Sequence, residues 1–218
     1  MCRHLRRSYS RKLVGVKIRD TFRIVKVRMS RRYELKRRAE SQQETRERII
    51  EAAIELHQTL GPRATTIADI ARRAGVGRVT VYRHFEDEVA LGRACSGAYN
   101  ARNPLPDAER WRAIRDPSAR LRTALRESYA YHRRTEAMST RVLADGRDHE
   151  IMEPYRAYWA HAVELVMTGR RARGRARLQL RAAIGLALSF DTWRTLARDH
   201  KLTDEEAVEI AMRLVEGA

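Results

Sequence analysis

The chain has 218 residues, with 45 Lys or Arg against 28 Asp or Glu and a formal net charge of +17. That length suits one or two domains with a sizeable core, and the charge favours an anionic partner, nucleic acid before an anionic membrane. Several classes are excluded: no apolar run of about 18 residues offers a membrane span, and two cysteines, Cys2 and Cys95, make no disulfide framework.

Hydrophobic residues are 43% and charged residues 33%, so most of the chain should fold, while aromatics are only 6%. Ala, Leu, Arg and Glu dominate, all good helix formers. The expected fold class is all-α. The basic N-terminus lacks the continuous apolar stretch and small-residue cleavage site of a secretory signal. A reducing cytoplasm fits the cysteine usage.

The charge is uneven. Residues 1–40 hold 15 Lys/Arg and 3 Asp/Glu, a net of +12, which leaves 30 basic and 25 acidic residues, a net of +5, in the other 178. Within this segment LVGVKIRDTFRIVKV (13–27) alternates loosely, as a strand does, yet no partner strand is in sight. Two readings are open for it: a disordered basic arm over 1–40, or a translation start at Met29 that removes the earlier residues.

Ordered structure is expected from Ser41. Ser41-Gln-Gln-Glu44 has the form of a capping box, and Ile49, Ile50, Ala53, Leu56 and Leu60 follow at helical spacing. Gly61-Pro62 stops that helix. Thr66-Ile-Ala-Asp69 starts a short second helix, and Gly75 suits the left-handed turn that ends it. A third helix of about two turns covers Arg78–His84, with Gly77 before it. Asp87 caps a fourth, to about Ala101. Asp116-Pro117 opens a helix to about Arg134. Further helices are expected over 136–144, 149–168 and 175–198, with Thr203-Asp-Glu-Glu206 capping the last. RRARGRAR (170–177) reads as a basic hinge between two long helices.

Two short helices joined by a glycine-containing turn form a helix-turn-helix. The first braces against the sugar-phosphate backbone and the second enters the major groove. Val81 and Phe85, four apart, can bury together. Arg78, Val79, Thr80, Tyr82, Arg83 and His84 then include the side chains left for DNA. Arg suits guanine or phosphate, a Thr or Val methyl suits a thymine methyl, and Tyr82 and His84 can donate to phosphate oxygens.

Residues 65–91, TTIADIARRAGVGRVTVYRHFEDEVAL, resemble the DNA-binding domain of the TetR family of bacterial transcriptional regulators. The resemblance rests on Thr66, Ile70, Ala71, Ala74, Gly75, Val76, Tyr82, His84, Phe85 and Leu91, and RERIIEAAIELHQTLG (46–61) fits the family's first helix. There are departures. Gly77 stands where a capping Ser is common, Val79 where Gly or Pro is usual, Glu88 where a basic residue supports a phosphate, and His57 where a core aromatic is usual.

The resemblance implies a three-helix head at 41–90 that binds an operator half-site, and a larger helical domain at 91–218 that binds an effector and dimerises. By position it implies Thr66 as a backbone contact, and Arg78, Thr80, Tyr82, Arg83 and His84 as recognition contacts. The last two helices would build the homodimer interface. Their apolar content agrees: Leu178, Leu180, Ala183, Ile184, Leu186, Ala187, Leu188 and Phe190 exceed one stripe.

Other constellations are weaker. His132-x3-Glu136 and Asp145-x2-Asp148-His149 each pair possible metal ligands without a third of equal quality. No metal or cofactor is therefore expected. Cys95 reads as a buried structural thiol. No P-loop, GxGxxG or GxSxG appears, so no enzyme is expected. Core packing accounts for most C-terminal aromatics, and Tyr131, Tyr158 and Trp159 are the candidates to line an effector pocket.

The expected function is a sequence-specific DNA-binding regulator, a repressor released from a double-stranded operator by a small molecule. Two alternatives stand beside it: a regulator with a degenerate pocket, and a basic nucleic-acid-binding protein that reads no sequence.

Overall fold

The structure is a computed structural model that describes the backbone of residues 18–146 and 150–217, with side chains from Tyr33 onward. Among the described residues there is no strand, and the elements are helices. By contacts the chain divides into two units, Met1–Thr45 and Arg46–Ala218.

The first helix, α1, runs Ile18–Thr59. This corrects the expected start at Ser41 and the strand-like reading of residues 18–27; residues 13–17 lie outside the described residues. The reason is local. No Gly or Pro interrupts 18–59, and Arg, Glu, Lys, Gln and Ala hold the helix through. Lys36 pairs with Glu40 one turn on at 3.7 Å, and the Thr45 hydroxyl donates to the Ser41 carbonyl at 2.8 Å instead of Ser41 capping.

From Arg46 onward the helices build two apolar cores. The first joins Ile49, Ile50 and Ala53 of α1 to α2 (Ile67–Ala74), α3 (Arg78–His84) and the start of α4 (Glu88–Arg102), through Ile70, Val81, Phe85, Leu91 and Cys95. Cys95 is buried there, and burial pushes its thiol pKa up to about 12, so it stays protonated and inert.

The second core is larger and belongs to α5 (Ala108–Trp111), α6 (Pro117–Gly146), α7 (Glu153–Met167), α8 (Gly174–Leu188), α9 (Phe190–Arg194) and α10 (Asp204–Glu216). Trp111, Leu121, Leu125, Tyr129, Val166 and Trp193 fill its centre. Buried Arg120 is paired with carbonyls rather than a carboxylate: Nε donates to Ile114 O at 3.0 Å and Nη2 to the same oxygen at 2.6 Å, while Nη1 reaches Thr168 O.

Three boundaries differ from expectation. The expected break near residue 135 is absent, because nothing between Pro117 and Gly146 breaks a helix. The expected helix 175–198 divides at Ser189, whose extended backbone lets its Oγ accept the Thr192 N–H at 3.2 Å and cap α9; a π turn then covers Thr195–Asp199. A short 3-10 turn, Glu150–Met152, precedes α7. No described helix is long and apolar enough to cross a membrane.

Candidate nucleic-acid interface

The bracing helix α2 is fixed at both ends. The Thr66 Oγ1 accepts the Asp69 N–H at 3.2 Å, and Asp69 Oδ2 accepts the Thr66 N–H at 3.2 Å and the Thr66 hydroxyl at 2.6 Å. These bonds, the Thr66 hydroxyl first, hold the Asp69 carboxyl below its ordinary pKa. Gly75 ends the helix at φ 67°, a conformation only glycine adopts without strain. Val76 N–H reaches back to Ala71 O at 2.9 Å. Arg73 on the outer face pairs with Glu55 of α1 at 2.6 Å.

α3 follows after three residues, Gly75, Val76 and Gly77. Its N-cap, Gly77, makes no side-chain cap bond, as expected of a chain that lacks the family's Ser. Val81 is completely buried and Phe85 nearly so, with the Arg46 guanidinium 4.9 Å above the Phe85 ring. Two buried side chains four residues apart therefore anchor one face of α3.

The opposite face is open. Val79 is 83% exposed and Tyr82 52%, and Arg78 and Arg83 are exposed beside them. Thr80 and His84 are half-buried. His84 differs from the other candidates: its Nε2 is buried without a partner. Burial first, then Arg83 and Arg46, holds its imidazole below the usual histidine pKa. Thr66 is exposed at the start of α2, on the cap just described. Glu88 is exposed in the first turn of α4, where Asp87 caps by accepting the Ala90 N–H at 2.6 Å. The face thus offers guanidiniums, a phenol, a hydroxyl and methyls on a short helix, which is the chemistry that reads base edges and phosphates.

Two of the effector candidates, Tyr131 and Trp159, pack against His132. His132 is wholly buried, with Tyr131, Trp159, Phe190 and Trp193 rings around it and the Trp159 centroid 5.1 Å away. Its Nε2 lies 2.9 Å from Leu188 O. Glu136 is turned to Arg198, at 2.8 Å, so the expected His132–Glu136 pair does not form. Asp148 and His149 lie outside the described residues. No group of three metal-ligating side chains occurs among the described residues.

Tyr131 lines one cavity and Trp159 another, while Tyr158 lines neither. The Tyr158 hydroxyl donates to Pro106 O at 2.7 Å, so it serves packing at the α4–α5 loop. A signal for this interior was present in the sequence. Ser128, His132, Thr135 and Ser139 repeat at helical spacing on α6, and all four are buried.

Residues 49–95 match the family described as bacterial regulatory proteins, tetR family. Over 60 residues the chain is 45% identical to the HTH-type transcriptional regulator TtgR of Pseudomonas putida, which is 28% of this chain and 29% of that protein. The chain thus matches under a third of the length of its curated relatives. Two solved structures share the fold across most of the chain. AibR, solved in complex with isovaleryl coenzyme A and operator DNA, has a TM-score of 0.60 at 15% identity, covering 78% of this chain and 97% of that one. A TetR-like transcriptional regulator from Rhodococcus sp. RHA1 has a TM-score of 0.54 at 16% identity, covering 79% and 93%. The capped α2, the glycine turn and the anchored α3 all lie inside the matched segment, so the similarity to the tetR family of bacterial regulatory proteins covers the residues that build the helix-turn-helix.

Proposed function

We propose that the chain is a sequence-specific DNA-binding transcriptional regulator, acting as a repressor that a small molecule releases from its operator. The observation that carries this reading is the division of α3. Val81 and Phe85 lock one face into the head, while Arg78, Val79, Tyr82 and Arg83 stand exposed on the other. A helix held that rigidly can present side chains to base edges in fixed register. Thr66 and half-buried Thr80 and His84 complete the proposed contact set.

The head is proposed to span 41–90 and the effector-binding and dimerising part 91–218. Support for an effector comes from the cavities beside α6 and from a protein of the same fold that was solved with both isovaleryl coenzyme A and operator DNA. Support for a homodimer comes from α8 and α10, which pack together and leave Leu178, Leu186 and Leu214 exposed. Two heads related by a two-fold axis read a near-palindrome with half-sites about one duplex turn apart.

Genomic footprinting of the purified protein tests the reading. Recovery of a small set of near-palindromic sites near promoters is the expected result. Uniform coverage without a shared sequence would contradict it.

A further inference from the structure

Of two neighbouring cavities from Arg46 onward, the larger measures about 910 Å³, and helices of both cores wall it. Ile67 and Ile70 come from α2, Leu91 and Gly97 from α4, and Tyr131 and Ser139 from α6. Its charged residues, Arg63, Glu88, Arg93 and Asp145, are all exposed and balance in sign. The polar groups deeper in are neutral. Ser139 donates to the Thr135 hydroxyl at 3.2 Å, which leaves its own lone pairs for a guest. Burial keeps His57 below its ordinary pKa and so uncharged at neutral pH.

The smaller cavity, about 320 Å³, lies against Trp159, Val163 and Phe190. Leu143, Met152 and Tyr155 line both cavities and so form the partition between them.

The three tryptophans differ in one respect. The indole N–H of Trp111 donates to Glu127 at 2.7 Å and that of Trp193 to Asp204 at 3.0 Å. The Trp159 N–H is buried with no partner. The Nδ1 of His132, whose ring lies tilted beside it, has none either. Buried polar groups are almost always paired, and Trp159 belongs to the wall of the smaller cavity, so its unpaired donor is the group that a guest's acceptor would satisfy once the ring turns towards that lobe.

We infer that the two cavities are the lobes of one site for a neutral, elongated, mostly apolar molecule whose hydrogen-bond acceptor meets the Trp159 indole N–H. The inference rests on the effector reading above and names the ligand class. The charged residues of the two lobes balance: Arg63 and Arg93 stand with Glu88 and Asp145 in the larger, and Arg156 with Asp191 in the smaller; Arg93 also pairs with Glu150 at 3.1 Å and Arg156 with Glu153 at 2.5 Å, which leaves no surplus of cations for a dianionic ligand. The guest would touch α2 and α4 directly, so its binding acts on the head without a relay.

Two neutral fluorescent probes test this on the free protein, with no DNA present. Prodan carries a ketone acceptor; N-phenylnaphthylamine is of similar size and has no carbonyl. Both should bind saturably. Gly97 lines the larger lobe, and a Cβ there meets nothing within 4 Å, so Gly97→Phe adds a bulky side chain to that wall and should weaken both probes by about tenfold or more. Trp159→Phe should weaken prodan by roughly three- to tenfold, one neutral hydrogen bond, and leave N-phenylnaphthylamine unchanged. Absence of saturable binding would overturn the inference. So would a folded Gly97→Phe variant that binds like the wild type, or a Trp159→Phe variant that weakens both probes equally. Should Gly97→Phe fail to fold, the Trp159→Phe comparison still decides. These titrations are independent of the DNA reading, which stands or falls on footprinting.

Discussion

Asp145, in the last turn of α6, accepts the Arg63 backbone N–H at 3.2 Å, and the Cβ that Gly61 lacks would collide with the same carboxylate oxygen. The contact joins residues 82 positions apart in sequence. It fastens the turn that precedes α2 to the C-terminal end of α6. Gly61 also sits at φ 91°, where a side chain is strained.

Gly61→Ala should therefore cost about 1–3 kcal/mol in urea unfolding, from backbone strain and the collision together. Adding Asp145→Ala should recover the collision part and leave the strain. If the double variant is no more stable than Gly61→Ala alone, the close approach is not what matters.

His132 gives the protein an acid-sensitive core. Burial lowers its pKa to about 4 in the folded state, against about 6.5 when unfolded. Between those values the unfolded chain takes a proton that the folded chain refuses, so acid favours unfolding. Stability should fall as pH drops from about 6.5 towards about 4, and His132→Phe should flatten that slope. His57 and His84 shift in the same direction and will leave a residual slope. Thermal unfolding across this range, wild type against variant, measures the difference.

On α3 the two valines should behave oppositely. Val81→Ala empties a fully buried position and should destabilise by about 1–3 kcal/mol. Val79→Ala, on the open face, should stay within about 0.5 kcal/mol of wild-type stability. Arg83→Ala should lower discrimination between operator and random duplex by about 1–3 kcal/mol if it reads a base. An equal loss on both duplexes makes Arg83 a phosphate contact. Melting curves and competition binding separate these effects.

For the dimer, Ala187 is the wrong position to probe. It is buried in the protomer's own core, and its carbonyl accepts the Tyr129 hydroxyl at 3.0 Å, so a charge there would unfold the subunit. Leu186 is 63% exposed. Leu186→Asp should leave protomer stability nearly unchanged and shift sedimentation from dimer to monomer at micromolar concentration. A wild-type monomer there with full operator affinity would remove the basis for the dimer.

The head was legible because its signals are local: the Thr66–Asp69 capping box, Gly75 after α2, and the Val81–Phe85 spacing each appear in the structure as read. The Ser41 cap failed because a cap motif inside an unbroken run of helix formers has no terminus to cap. Of the effector candidates, Tyr158 looked equivalent to Trp159, and only the fold shows that its hydroxyl is spent on Pro106. Tyr155, Met152 and Leu143 come from separate elements, so their meeting as a partition is a tertiary fact with no periodicity to announce it. On α8 the excess of apolar residues was legible, but which of Leu186 and Ala187 faced outward depended on how α7 and α10 cover the helix.

The proposed α3 face reads sequence, which sets it apart from a basic surface that binds any polyanion. Competition between a footprinted operator duplex and a scrambled duplex at physiological salt tests it most directly, with wild type and with a deletion of residues 1–28. An operator preference of about a thousandfold or more is expected, kept in the deletion, with only a shallower salt dependence as fewer counterions are released. Equal affinity for the two duplexes, or a preference that vanishes with the deletion, would contradict it.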